Sequence, residues 1–163
     1  MDDDVEIDRP GVMRLFQTMK KHNLDLIQAS LTADSSCYWD IIKHPPEGAT
    51  LCALSSVEIM MPVISRRALA DFGWVFKEGI SGWGIDLLLS AQVRQRYGNK
   101  IALVGDVVAK HARSTYVAFE SFYQFLRRHG IDPNVEAGYI AWKYDVDDLA
   151  NAISQHDQPL DFS

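Results

Sequence analysis

The chain lacks the features that would place it in a membrane, on a nucleic acid or in a disulfide-stapled scaffold. No apolar run approaches the roughly 18 residues that a bilayer span needs, and the acidic N-terminus is not a secretory signal. Cysteine is scarce. Cys37 and Cys52 show no metal-ligand spacing and read as buried or half-buried free thiols in a reducing compartment. The formal net charge is -6 and the basic residues are scattered, so no stripe is available to grip a phosphate backbone. Internal repeats, low-complexity segments and a Gly-rich strand–helix nucleotide fingerprint are also missing. These absences exclude nucleic acid as a partner and leave a soluble, cytoplasmic protein as the expectation.

What is present suits one globular unit. In 163 residues, 47% are hydrophobic and 23% charged, enough apolar surface for one core without the charge excess of a disordered chain. A single domain over 1–163 is expected, with a core over 1–130 and a peripheral extension over 131–163. Pro10 opens a helical pattern through Val12, Leu15, Phe16 and Met19 up to Asn23. Leu24 to Leu31 and Cys37 to His44 read as strands across a polar turn, and Thr50 to Ile64 as a strand or bent strand pair. Ser65 is placed to cap a helix from Arg66 to about Phe76. A second helix runs from Ile85 or Asp86 to Tyr97, ended by Gly98. Lys100 to His111 is a buried strand with a possible turn at Gly105–Asp106. Ala118 to His129 is amphipathic, the region after Gly130 is looser, and Val146 to Ser154 reads as a last helix. The alternation predicts an α/β fold, a mixed sheet with helices on it.

Four places could carry chemistry. Asp2, Asp3 and Asp4 follow Met1, and carboxylates two apart on an extended turn can offer hard oxygens to one Mg²⁺ or Mn²⁺. The same acids could be a solvated tail. Ser81 to Asp86 reads SGWGID: Gly82 and Gly84 let the backbone bend closely around a ligand, and Trp83 offers a flat face on which sugars stack. Asp86, at a helix N-terminus, is either a cap or a general base held at the edge of a cleft. His111, at a strand end, could complete a metal site with the aspartates or simply face solvent. Glu58 stands in an apolar run and must face solvent or find a partner. It would line an acceptor pocket or pair with Arg66 or Arg67.

The order of these motifs resembles that of GT-A-fold glycosyltransferases, and is closest to a glycosyltransferase-like family of unknown function found in plants and bacteria. The likeness runs from Asp2 to Tyr123 through DDD, VEIMMPVISRRAL, the WGID helix start and IALVGDVVAKH. The resemblance implies the C-terminal half of a GT-A-like (Rossmann-like) sheet, with the nucleotide-binding half that precedes Asp-x-Asp missing. Asp2, Asp4 and His111 would then hold Mn²⁺ or Mg²⁺ against a nucleotide-sugar diphosphate, with Asp3 as the middle residue of the motif. Asp86 would be the base of an inverting transfer to a saccharide or other hydroxyl acceptor. Glu58, Gly82, Trp83 and Gly84 would face donor or acceptor. A half-sheet implies an exposed strand edge, closed by a homodimer or by a partner chain supplying the missing half. Two other readings remain at this point. One is a non-catalytic remnant or interaction module. The other is a metal-dependent hydrolase built on Asp2, Asp4, Asp86 and His111.

Overall fold

The computed structural model describes residues 1–43, 48–112 and 115–146, the side chains of 115–121 excepted. Two strands run through its centre, β2 (Leu26–Leu31) and β5 (Ile101–His111), paired in parallel. All six residues of β2 and the first four of β5 are buried. That continuous burial is what a strand covered on both faces requires. Three short strands complete a mixed, five-stranded sheet. β1 (Val5–Glu6) and β3 (Leu51–Ala53) pair antiparallel with opposite ends of β5, and β4 (Val63–Ile64) pairs antiparallel with the start of β2. Helices α1 (Arg9–Lys21), α2 (Arg66–Phe72), α3 (Ile85–Tyr97), α4 (Thr115–Arg128) and α5 (Pro133–Tyr144) flank it.

The helix starts follow local chemistry. The Asp8 side chain accepts the Gly11 N–H at 2.7 Å with Pro10 in the first turn, and the Ser65 hydroxyl accepts the Ala68 N–H at 3.1 Å. α1 buries Gly11, Leu15 and Met19, while Phe16 is exposed. α2 ends earlier than expected, because the backbone tightens at Gly73 into a 3-10 turn over Gly73–Lys77. α3 sends Leu88, Leu89 and Val93 into the core beside Ile27, Ala29 and Leu103. At the head of β2 the buried Asp25 carboxylate takes both a fork from Arg67 and the Ser65 hydroxyl at 2.6 Å, which ties β4 and α2 to the sheet.

β5 does not turn at Gly105–Asp106; it bulges there. The register with β2 jumps so that Ala29 faces Val104 but Ser30 faces Val108. The Ser30 hydroxyl donates to the carbonyl of Val107 at 3.0 Å, satisfying a group the ladder has lost. Beyond the bulge the strand alternates, with Val107, Ala109 and His111 buried and Val108 exposed. The shift of register therefore decides that His111 faces inward.

Two further expectations are corrected. Cys37 to His44 is not a strand; it is irregular up to a short 3-10 turn at Asp40–Ile42, with 44–47 outside the described residues. The N–H groups of Tyr38 and Trp39 are taken by the Glu58 carboxylate instead of a ladder. The looser region after Gly130 contains α5, capped by Asp132, with Ile140 in the core. The helix expected over Val146 to Ser154 lies outside the described residues from 147 onward.

Candidate functional site

At the carboxyl ends of the two parallel strands, the loop after β2 and the last residue of β5 open onto a cleft of about 290 Å³. Open α/β sheets bind ligands at this end, where the loops diverge. The cleft gathers residues far apart in sequence: Asp2, Trp39, Glu58, Trp83, Gly84, Asp86, His111, Tyr123 and Asn134 all line it. Asp4 is joined to the cleft through His111 without itself lining it, and Asp3 and Gly82 also lie off the lining.

The acidic segment at the start of the chain is tied down, not frayed. The Asp2 N–H donates to Met60 O at 2.8 Å, the Ala112 N–H donates to Asp4 O at 2.9 Å, and Val5 pairs with His111. The Asp4 carboxylate lies 3.0 Å from His111 Nε2, both side chains being 8% exposed. The other ring nitrogen, Nδ1, faces the carbonyl of Ser36 and must donate to it. The two groups form a buried histidine–carboxylate pair, with the imidazole oriented by the Ser36 carbonyl at its other nitrogen. Fixing a histidine's tautomer through its far nitrogen is the usual outer support of a ligand imidazole. Asp2 is near enough to Asp4 and His111 to feel both charges. Its carboxyl is raised chiefly by partial burial and lowered in part by the chain's own ammonium group. Among the described residues no three His, Cys, Asp or Glu side chains converge on one point. The preset element is the Asp4–His111 pair, with Asp2 alongside.

The floor is different. Glu58 is buried, and its Oε1 accepts the N–H groups of Tyr38 and Trp39, each at 2.8 Å. Its own N–H donates to the buried Gln28 side chain at 2.6 Å. It does not pair with Arg66 or Arg67; the latter belongs to Asp25. Burial pushes its carboxyl up to about 7 against the pull of those two N–H donors, and the neighbouring Asp86 charge adds to the rise. Asp86 begins α3, where the helix terminus favours its ionised form. Burial nevertheless wins and carries it up to about 6, against backbone N–H groups of Leu87 and Ile59. Two neighbouring carboxyls raised into the neutral range cannot both ionise freely, which suits one of them to accept a proton near pH 7.

Trp83 stands at one wall on a loop that only glycine permits. Gly84 has φ of 82°, and a Cβ there would lie 3.0 Å from the Cα of Ala137 in α5. The loop is pinned by Glu136, which accepts the N–H groups of Ile80 and Ser81 at 3.0 and 2.7 Å. Trp83 Nε1 donates to the Tyr123 hydroxyl at 2.6 Å, and the rings meet edge to face.

Sequence reasoning missed Trp39, Tyr123 and Asn134. Trp39 was hidden by the strand reading of its segment. Asn134 was findable: Asp132, Pro133 and Glu136 together form a capped helix start, the signal used for α1. Tyr123 carried no signal beyond membership of an aromatic helix face. Cys37 and Cys52 are free and half-buried, as expected. No family model matches the chain, and neither a curated protein nor a solved structure does. No helix among the described residues is long and apolar enough to cross a membrane.

Proposed function

We propose that this cleft transfers a sugar from a nucleotide-sugar donor to an acceptor hydroxyl, with inversion, as one half of a GT-A-like site. The observation that carries the reading is the convergence on one cleft of Asp2, Glu58, Trp83, Asp86 and His111, from separate elements. Asp86 is the base. Its carboxylate takes the proton as the acceptor oxygen bonds to the sugar's anomeric carbon and the bond to the diphosphate oxygen breaks. Glu58, raised to about 7 in part by the Asp86 charge, is still protonated where Asp86 ionises at about 6, which leaves Asp86 as the carboxylate available to take the proton. Trp83 gives the sugar ring an apolar face fixed by Tyr123.

The residues at the rim fit a hard divalent cation in one respect. An octahedral ion with ligands at about 2.1 Å sets neighbouring ligand atoms about 3.0 Å apart, the separation of Asp4 Oδ2 and His111 Nε2. Asp2, Asp4 and His111 would hold Mn²⁺ or Mg²⁺, which supplies charge to stabilise the departing diphosphate. The metal-dependent hydrolase would place Asp86 at the same cation, and release of product that needs no acceptor would favour it.

The test is turnover. Nucleoside diphosphate release from a panel of nucleotide-sugars with Mn²⁺ should require a saccharide acceptor and should give product of inverted anomeric configuration by NMR. Release unaffected by Asp86→Asn would overturn the assignment of the base. No turnover with any partner chain or donor would leave the chain as a non-catalytic remnant or interaction module.

A further inference from the structure

Beyond the Trp83–Tyr123 wall lies a second hollow of about 400 Å³, lined by Trp83, Tyr123, Arg127, Asp132 and Asn134 among others. Trp83, Tyr123 and Asn134 line both spaces, so the two adjoin across a single aromatic wall. We propose that this hollow is a second saccharide subsite, which takes the neighbouring ring of a neutral oligosaccharide whose terminal ring occupies the cleft. The assignment of the bound sugar as acceptor rests on the transfer reading above; sugar binding in the hollow does not.

Size argues for two rings. The cleft alone is at the lower end of small-molecule sites, which span about 300–1,000 Å³, and the hollow more than doubles the available space. The lining chemistry argues for sugar. Aromatic side chains offer an apolar face and a polar edge. The bond from Trp83 Nε1 to Tyr123 at 2.6 Å fixes the indole before any ligand arrives, which lowers the ordering cost of binding. Around these rings stand a guanidinium, a carboxylate and an amide, three planar groups able to bridge adjacent hydroxyls. Asp132 spends one oxygen on the Asn134 N–H at 2.9 Å as the cap of α5, which holds the carboxylate in place and leaves a second oxygen to accept.

Charge argues for a neutral ring. Arg127 and Asp132 line the same hollow, so the cation that would attract an anionic sugar is offset by a carboxylate that would repel it. Hydroxyls can donate to the one and accept from the other.

The experiment is an NMR titration of the full chain with saccharides in the absence of metal and nucleotide, beside a parallel titration with Mg²⁺ and a uridine-diphosphate sugar. The probes are methyl glycosides and neutral di- and trisaccharides of gluco, galacto and manno configuration, plus a uronic-acid disaccharide. The expected result is that a neutral disaccharide binds at least tenfold tighter than the matching methyl glycoside. The Trp83 indole and Arg127 guanidinium resonances should shift, and Arg127→Ala should erase the disaccharide's advantage while sparing the monosaccharide. Arg127 is exposed, so its removal leaves the fold intact; Tyr123→Phe tests the same wall by removing the hydroxyl that accepts the Trp83 Nε1–H. Equal affinity for one ring and two, an advantage that survives Arg127→Ala, or preference for the uronic acid would each overturn the proposal. Failure of every saccharide while metal plus nucleotide-sugar still binds overturns the subsite and spares the transfer reading. Saccharide binding with no response to metal and donor does the reverse.

Discussion

The floor and the rim of the cleft are both acidic, yet they are built in opposite ways. Glu58 and Asp86 belong to the core: one is held by two backbone N–H groups, the other begins a helix packed against the sheet. Asp2 and Asp4 sit on a segment joined to the sheet by a two-residue strand and a few backbone bonds. Burial raises both floor carboxyls into the neutral range, whereas the rim places its charge beside a histidine. The contrast suits different work. A proton acceptor gains from a fixed, dry place, while a site for cation and diphosphate gains from access and adjustment. Replacing floor residues should therefore change chemistry and pH behaviour, and replacing rim residues should change binding and local order.

The largest effect expected is on turnover. Asp86→Asn should lower it by about 10²- to 10⁴-fold, the usual worth of a positioned base, with donor affinity little changed in a direct titration. A parallel loss of affinity would place Asp86 among the binding residues instead.

Next comes the pH dependence of stability. The folded chain holds the Glu58 and Asp86 protons up to about 7 and about 6, against ordinary values of 4.5 and 3.8. Stabilisation from these protons is thus complete below the ordinary values and is lost as pH rises through the folded ones. Denaturant unfolding should give stability that falls from about pH 4 to about pH 7. Glu58→Gln keeps the acceptor for Tyr38 and Trp39 but has no charge to bury. The substitution should flatten that fall and stabilise the protein at about pH 8 by on the order of 3 kcal/mol. A steeper fall in the variant would show that the buried charge has a partner at the floor that outweighs its burial.

The smallest effect belongs to the rim. Asp4→Asn removes the charge facing His111 but keeps the backbone bond to Ala112, and should cost about 1 kcal/mol. Hydrogen exchange should quicken at Val5 and Ala112 and stay unchanged along α3. Equal quickening in α3 would mean that rim and floor open together, and the division between them would fail.

The long elements were legible in the sequence because their signals are local. Ser65 and Gly98 mark helix ends by side-chain and backbone chemistry, and the apolar runs of β2 and β5 admit little else than buried strands. The site was legible to the extent that it lies on motif residues: Glu58, Trp83, Asp86 and His111 reach the cleft, with Asp2 beside them. What the sequence hid was set by distant contacts. The bulge that turns His111 inward depends on Ser30 across the sheet, and the path of Tyr38 and Trp39 depends on a carboxylate at position 58. Gly82 and Asp3 carry motif character without reaching the wall. Gly82 acts through its positive φ of 85° in the loop that aims Trp83.

Thermal unfolding with and without Mn²⁺, each repeated with a mixture of uridine-diphosphate sugars, tests most directly whether rim and floor form one donor site. A ligand at a hundredfold excess over its Kd adds about 2.7 kcal/mol to stability. The account predicts a rise in Tm that needs metal and nucleotide together, disappears in Asp4→Asn and persists in Asp86→Asn. No rise under any condition, or one that survives Asp4→Asn, would contradict it.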